Sequence, residues 1–252
     1  MGILNVTPDS FSDGGKYTDV EAAFLHAMQM ISEGADIIDI GGESTKPGYT
    51  PVSADEQIER VIPVIERIRK ESDIPISVDT TSAVVARQAL GEGCDLINDI
   101  WGLKKDPALA PFLAEVNIPC VIMHNRDNTD YANLLEDVLS ELKAACDNAL
   151  NAGVKKEQII VDPGIGFGKT PDQNLEVLRN LGRFRELGYP VLLGTSRKSV
   201  IGVTLNLPVS ERLEGTLVTT VMGVISGCGI VRVHDVKENV RAIKMTEAIL
   251  GK

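Results

Sequence analysis

Short runs of aliphatic and β-branched residues alternate with longer amphipathic stretches along the chain. Such runs have the length of buried strands, and the stretches between them are long enough for helices. About eight runs predict strands, at residues 3–6, 36–40, 74–78, 95–97, 120–123, 158–161, 190–193 and 229–233. Strands that alternate with helices favour a parallel sheet, and eight such units are what a closed (β/α)8 barrel requires.

Capping boxes mark the predicted helix starts. In a capping box, a side-chain oxygen and a Glu or Gln three residues later satisfy free amides of the first turn. The pairs are Thr18 with Glu21, Ser53 with Glu56, Thr170 with Gln173 and Asp235 with Glu238. Pro107 and Pro171 also stand where a first helical residue is predicted, a position that needs no N–H.

Two of the predicted helices carry apolar residues every three or four positions, which predicts faces that pack against the sheet. The first face consists of Ile58, Val61, Ile62, Ile65 and Ile68, and the second of Val236, Val240, Ile243 and Ile249. Pro63 lies inside the first of these helices and predicts a kink or a local break.

The fold class that these elements predict is α/β, a TIM (β/α)8 barrel. No linker, low-complexity segment or repeat of fixed period divides the chain, so residues 1–252 are expected to form a single domain. An open doubly wound sheet is the alternative. The first predicted strand is not followed by the GxGxxG turn of dinucleotide-binding sheets, which favours the barrel.

The amino-acid composition excludes some classes of binding partner and indicates a location. The chain has 25 Lys and Arg against 36 Asp and Glu, a net charge of -11, so neither nucleic acid nor an anionic membrane is an expected partner. No apolar run approaches the roughly 20 residues of a membrane span. The four cysteines are scattered and form no CxxC pair, so we expect a cytoplasmic protein with reduced thiols.

Residues at the carboxyl ends of the strands of a parallel barrel converge on one face, so candidate chemistry is sought there. The early and middle strands end in acceptors, namely Asn5, Glu43-Ser44-Thr45, Asp79, Asn98 and Asp162. The later segments carry cations, namely Lys169, Arg197, Lys198, Arg232 and His234. This division predicts a ligand with a donor-rich head and an anionic tail.

Each of these positions also has a structural interpretation. Asp79 is compatible with a helix cap, Asn98 with an ordinary turn, and Asp162 with a turn before the glycines of DPGIGFGK. Lys198 is compatible with a solvated surface lysine. His124 follows a predicted strand without an obvious partner, and its role stays open at this point.

Seven motifs resemble those of the dihydropteroate synthase family, in the same order and across essentially the whole chain. They are MGILNVTPDSFSDGG at 1–15, DIGGEST at 39–45, SVDTT at 77–81, INDI at 97–100, DPGIGFGK at 162–169, SRKS at 196–199 and RVHDV at 232–236. The resemblance implies a folate-pathway transferase on a TIM barrel. It would join 6-hydroxymethyl-7,8-dihydropterin diphosphate to p-aminobenzoate and release diphosphate.

The same resemblance implies a role for each matching residue. Asp79, Asn98 and Asp162 would accept hydrogen bonds from the pterin, Lys198 would bind its ring nitrogen or oxygen, and Met123 would form an apolar wall. Asn5, Arg232 and His234 correspond to diphosphate-binding positions, and Asn5 is also similar to a ligand of Mg²⁺. Thr45, Lys46, Pro47, Phe167 and Ser199 would frame p-aminobenzoate. The catalytic residues would be Asp79, Asp162, Lys198 and Arg232.

The family resemblance further implies a homodimer, and two loops rich in Gly, Pro and small polar residues that cover the site. Lys46 departs from the family pattern, which usually has Arg there, so a two-pronged contact at this position is not expected.

Three other functions compete with this one. A pterin-binding methyltransferase would not need the cluster of Lys198, Arg232 and His234. A Schiff-base lyase would use Lys198 as its nucleophile, but the neighbouring acids do not predict a lowered lysine pKa. A catalytically silent pterin-binding protein is the third.

Overall fold

Short parallel strands form the inner wall of the structure, a computed structural model that describes residues 1–7, 16–43 and 52–251. The strands of the described residues are β1 Gly2–Asn5, β2 Ile38–Gly41, β3 Ile76–Asp79, β4 Leu96–Asp99, β5 Cys120–Met123, β6 Ile159–Asp162, β7 Leu192–Leu193 and β8 Ile230–Val231. Each lies inside a predicted run or overlaps it with ends that differ by at most two residues. Ile, Leu and Val make up most of these segments, because both faces of a parallel sheet are buried.

The strands close into a barrel. The first six pair in parallel in chain order, and β7 pairs with β8. Parallel bridges between Val161 and Val191 and between Gly2 and Val233 join the two sheets at both seams. The Ile3 amide donates to the carbonyl of Val233 at 3.0 Å, which ties the first strand to the last. The predicted TIM barrel is therefore confirmed.

Helices surround this barrel and follow the strands in alternation. Within the described residues they are α1 Lys16–Ser32, α2 Ala54–Arg69, α3 Ala83–Gly91, α4 Leu109–Val116, α5 Leu134–Asn151, α6 Pro171–Arg179, α7 Ser199–Leu205, α8 Leu213–Ser226 and α9 Val236–Leu250. Two of them, α7 and α8, lie between β7 and β8, and short 3₁₀ turns occupy Lys156–Gln158, Leu181–Leu187 and Val209–Glu211. No helix of the described segments is long and apolar enough to cross a bilayer.

The two-residue period of the strands decides what faces the barrel interior. Leu96, Val121 and Leu192 pack together in a small apolar cluster, separate from the large core between strands and helices. Two residues further along each strand, the next inward position lies closer to the carboxyl end. Those positions are Asn98, Met123 and Gly194, so the apolar cluster forms a floor beneath the functional layer.

The capping predictions have mixed outcomes. Ser53 accepts the amide of Glu56, and Thr170 forms a full capping box with Gln173, with Pro171 as the first helical residue. The prediction at Asp235 is wrong, because its side chain does not cap α9 and pairs with Arg197 instead.

Two other predicted starts are displaced. Helix α1 begins at Lys16 rather than after Thr18. Helix α4 begins at Leu109, two residues after Pro107, because the Asp106 carboxylate accepts the amide of Ala108 and forms a turn first.

The predicted apolar faces pack as expected, with one exception. Val61, Ile65 and Ile68 are buried, and α2 continues through Pro63, so the predicted break does not occur. The prediction for Ile249 is wrong, because this residue, near the carboxyl end of α9, is 73% exposed.

Candidate active site

An arginine held between two carboxylates lies at the centre of the functional layer. Arg232, directly after β8, donates from Nε to Asp39 Oδ2 at 2.6 Å and from Nη2 to Asp79 Oδ2 at 2.8 Å. Asp39 is fully buried and also accepts from the Asn98 amide at 3.4 Å. A buried charge needs such partners, so these four residues hold one another in place.

The Asp79 carboxyl group has an unusual proton affinity. Burial raises its pKa to about 7, Asp39 adds to the rise, and Arg232 opposes it. Ser82 caps the following helix α3, so the capping interpretation of Asp79 is wrong. Asp79 therefore lies at the end of β3 as an acceptor that titrates near neutrality.

Asp162 and Lys198 are two further charged residues of the layer, and each influences the pKa of the other. Asp162 Oδ1 accepts the Gly164 amide at 2.7 Å, so this residue does shape the turn after β6. Burial raises the pKa of Asp162, and Lys198 counteracts the rise. Asp162 thus combines its structural role with a second carboxylate oxygen available to a ligand.

Lys198 is not a surface lysine. Its Nζ donates to the Ile165 carbonyl at 2.6 Å and lies 4.7 Å from the centre of the Phe167 ring. Burial lowers its pKa to about 8, against the sequence-based expectation that the neighbouring acids would prevent such a shift. Desolvation of an ammonium outweighs the attraction of Asp162 here.

The remaining predicted residues lie around this layer. Asn98 is buried within β4 rather than in a turn, and Met123 is buried at the end of β5 beside Asp162. Asn5, at the end of β1, and Ser199, the first residue of α7, are exposed. Thr45, Lys46 and Pro47 lie outside the described residues, as do most positions of the two predicted covering loops.

His234 is oriented by a serine. The Ser196 hydroxyl oxygen accepts the His234 amide at 3.1 Å and lies 2.9 Å from Nδ1 of its ring. Burial and Arg232 lower the pKa of His234 to about 4, so the ring is neutral. When the hydroxyl donates to Nδ1, the proton is on Nε2, which then serves as a donor to a ligand.

Two of the predicted cations are engaged within the protein. Arg197 forms an ion pair with Asp235 through Nε at 3.0 Å and through Nη2. Lys169 is 8% exposed and donates to three acceptors of the chain itself. An anionic tail of a ligand therefore meets Arg232 as a cation and His234 as a neutral donor, so it meets fewer cations than the sequence indicated.

Comparisons with known proteins agree with this geometry. A model of the family described as pterin binding enzyme matches residues 1–234. The dihydropteroate synthase of Clostridium beijerinckii is 61% identical over 99% of this chain and 93% of its own length. The chain belongs to the dihydropteroate synthases.

Solved structures of this family share the whole fold. The dihydropteroate synthase of Clostridium difficile, in the presence of pteroic acid, has a TM-score of 0.98 at 53% identity and covers 100% of this chain and 96% of its own. The Xanthomonas albilineans dihydropteroate synthase with 4-aminobenzoic acid has a TM-score of 0.96 at 41% identity, covering 100% and 93% respectively. The chain is accordingly a transferase on a TIM barrel.

Sequence reasoning left three polar residues of this dihydropteroate synthase barrel without a role. Asp39, Ser196 and His124 are all buried and hydrogen-bonded within the functional layer or beside it. A signal existed for Asp39. It lies inside the apolar run 36–40, on the same strand face as Ile37, and a charged residue at such a buried position needs a partner. Nothing local distinguished Ser196 or identified the partners of His124.

Proposed function

We propose that this chain joins 6-hydroxymethyl-7,8-dihydropterin diphosphate to p-aminobenzoate, giving 7,8-dihydropteroate and diphosphate. The amine nitrogen bonds to the pterin methylene carbon, the carbon–oxygen bond to diphosphate breaks, and the amine loses a proton. The observation that carries this proposal is the buried layer in which Asp79, Asn98 and Asp162 supply acceptors while Arg232 and Lys198 supply cations.

The pterin head fits the acceptors. A pterin presents several N–H donors in one plane, and each buried donor without a partner would cost about 1–3 kcal/mol. Asp79 ends β3 and is paired with Asn98 of β4, while Asp162 ends β6, with β5 between them. The three side chains thus belong to the same end of the barrel, which suits a flat ligand. Lys198 would bind the ring nitrogen or oxygen, and Met123 would supply an apolar wall.

The diphosphate tail would lie at Arg232, His234 and Asn5. Arg232 uses Nε and one Nη2 hydrogen on the two carboxylates, which leaves its other N–H bonds for phosphate oxygens. The neutral His234 would donate from Nε2. Since both carboxylates fix the guanidinium, it need not reorganise as charge grows on the leaving group.

Mg²⁺ is proposed as the metal that accompanies the diphosphate. Among the described residues no three acidic, His or Cys side chains are grouped to hold a metal. Mg²⁺ commonly uses few protein ligands together with waters and substrate phosphates, so the exposed Asn5 amide oxygen fits this mode. When bound, the ion would neutralise charge on the leaving diphosphate.

Calorimetry of inorganic diphosphate binding tests the metal site without turnover. With Mg²⁺ present, we expect tighter binding, and Asn5→Ala should remove most of that increment while leaving metal-free binding unchanged. Equal affinities with and without Mg²⁺ would reject the ion at this site.

The carboxylates would favour loss of diphosphate before the amine attacks. Departure of the diphosphate leaves positive charge on the pterin methylene, and negative charge on the buried Asp79 and Asp162 would stabilise it. Thr45, Lys46, Pro47, Phe167 and Ser199 would frame p-aminobenzoate. Excluding water matters at this stage, because water would compete with the amine.

An assay of the purified protein tests this proposal. With Mg²⁺ and both substrates, we expect diphosphate release and an equal amount of dihydropteroate; folded protein without product would reject the activity. Asp162→Asn keeps the oxygen that binds the Gly164 amide but replaces the other by a donor. We expect pterin affinity to fall about 10–100-fold. Asp172→Asn, at an exposed position of α6, serves as the control.

A homodimer is also proposed, through the outer surface of α8 and α9. Val218, Met222 and Ile225 are 63%, 42% and 53% exposed on one side of α8, and Met245 and Ile249 are exposed on α9, which packs beside it. Apolar residues at this spacing are typical of an interface. In sedimentation equilibrium, Val218→Asp should shift the protein toward monomer, whereas Leu25→Asp on α1 should not.

We further propose a cytoplasmic location. All four cysteines are free thiols, and burial raises the pKa of each to about 12, which suits a compartment that keeps thiols reduced. Cell fractionation should recover the protein with cytoplasmic markers, and recovery with membranes would contradict this.

A further inference from the structure

Lys169 has no hydrogen-bond donor left for a substrate. Its ammonium nitrogen lies 2.8 Å from His124 Nδ1, 3.0 Å from the carbonyl oxygen of Gly164 and 3.1 Å from that of Phe167. An ammonium carries three N–H bonds, and three acceptors surround this one. The side chain is 8% exposed, so it acts inside the protein.

His124 connects this ammonium to helix α5. Its Nδ1 accepts from Lys169, so the ring proton is on Nε2, which lies 3.1 Å from Glu141 Oε2. Burial, with Lys169 nearby, lowers the pKa of His124 to about 2 and keeps the ring neutral. Arg126 pairs with the other carboxylate oxygen of Glu141 at 3.3 Å. The ammonium is thus anchored through the imidazole to a carboxylate.

The two carbonyls bound by Lys169 belong to the loop after β6. This loop turns through Gly164, Gly166 and Gly168, all with positive φ. It lies directly on the end of β5, since a side chain at Gly164 would come within 1.8 Å of the His124 carbonyl oxygen. Lys169 therefore bridges the loop from its far end and draws two of its carbonyls toward the barrel.

The same loop presents its other groups to Lys198. The Ile165 carbonyl accepts from Lys198 at 2.6 Å, and the Phe167 ring lies 4.7 Å from its ammonium. Ile165 thus lies between the two residues whose carbonyls Lys169 binds, and Phe167 is one of those two residues. A displacement of the loop would therefore disturb both contacts with Lys198.

We infer that Lys169 is a positioning residue, which, held by His124 and Glu141, fixes the loop of residues 163–168 so that Phe167 and the Ile165 carbonyl meet Lys198. This inference rests on the proposed function, in which Phe167 frames p-aminobenzoate. It predicts that loss of the ammonium weakens p-aminobenzoate binding more than pterin binding. Two of the three pterin acceptors, Asp79 and Asn98, lie on strands that Lys169 does not contact, whereas Phe167 belongs to the loop whose carbonyls Lys169 binds.

Steady-state kinetics of Lys169→Met test the inference. We expect the KM for p-aminobenzoate to rise at least about tenfold, the effect of losing one buried charged hydrogen bond. The KM for dihydropterin diphosphate should change less than about threefold. Lys143→Met, which removes an exposed lysine of α5, is the matched control. Equal changes in both KM values would overturn the inference. A lower kcat with both KM values unchanged would overturn it too, because a general loss of folded enzyme produces that result.

A second measurement does not require turnover. Hydrogen exchange of the peptide covering residues 163–169 should be faster in Lys169→Met than in wild type, without substrates, and unchanged in Lys143→Met. If wild type forms no dihydropteroate, the proposed function fails while this result still decides the role of Lys169. Unchanged exchange would overturn the inference.

Variants of Glu141 keep the test informative if Lys169→Met does not fold. Glu141 is partly exposed on α5, so its replacement leaves the core intact. Glu141→Gln retains an oxygen that accepts from His124 Nε2 and should keep a KM for p-aminobenzoate near that of wild type. Glu141→Leu removes the acceptor and should raise this KM and the exchange rate of the loop. Identical behaviour of the two variants would contradict the proposed chain of contacts.

Discussion

Replacing Asp39 by Asn removes the charge that neutralises Arg232 and preserves the size of the side chain. Asp39 is fully buried, and its oxygen lies 2.6 Å from Arg232 Nε. An exposed ion pair contributes about 0.2–1 kcal/mol, whereas removing the only partner of a buried charge costs about 3–5 kcal/mol. Arg232 keeps Asp79, so we expect an intermediate loss of about 2 kcal/mol.

Urea denaturation at pH 8 measures this loss, since Asp79 is then mostly ionised. In thermal unfolding, the same loss of about 2 kcal/mol should lower the melting temperature by about 4–8 °C for a chain of this size. The matched control is Asp147→Asn, which breaks the exposed pair with Lys143 and should cost less than about 1 kcal/mol. If Asp39→Asn were no less stable than Asp147→Asn, the buried pair would not stabilise the fold and the reasoning would be refuted.

Asp39→Asn also has a consequence for pH dependence. The charge of Asp39 is one of the causes that raise the pKa of Asp79 to about 7. Its removal should lower that pKa, so pterin binding should persist to lower pH in the variant than in wild type. Titration of pterin affinity between pH 5 and 8 measures the shift, and an upward shift would contradict the electrostatic assignment.

Three other predictions concern single residues. The folded-state pKa of Asp79 is raised, so its contribution to the free energy of unfolding should be present below about pH 4 and be lost as the pH rises through 7. Urea denaturation should show this decline in wild type and not in Asp79→Asn. Ser196→Ala should cost about 1–3 kcal/mol in thermal unfolding and weaken inhibition by diphosphate, because the His234 amide and ring both lose their partner; unaltered inhibition would argue against an oriented ring. Gly164→Ala should destabilise by more than about 3 kcal/mol, because φ is +70° and the added carbon meets a carbonyl oxygen at 1.8 Å, while Gly182→Ala meets nothing within 4 Å. Similar melting temperatures for these two variants would disprove the steric argument.

Much of the barrel could be predicted because its elements are locally encoded. Each strand is a short apolar run, and the helices between them have their own apolar faces and caps. The Thr170 box and the faces of α2 follow these rules. The failure at Asp235 has a non-local cause, since its side chain forms an ion pair with Arg197 instead of the predicted cap.

The candidate site also contains residues that the sequence predicted and one whose position it did not. Asp79, Asn98, Asp162 and Arg232 were predictable because strand ends in a parallel barrel converge on one face. Their roles toward a ligand remain predictions. The true position of Lys169 was not predictable, because its partner His124 is 45 residues away.

The sequence by itself determined the order of strands and helices and the set of polar residues at the strand ends, because each depends on neighbouring residues. Only the tertiary structure decided which charges meet. Arg232 contacts Asp39, 193 residues away in the sequence, because β8 closes against β1. As a result, the guanidinium of Arg232 is buried and paired with two carboxylates. Pairing of that kind depends on distance and desolvation in the folded barrel, which no local pattern specifies.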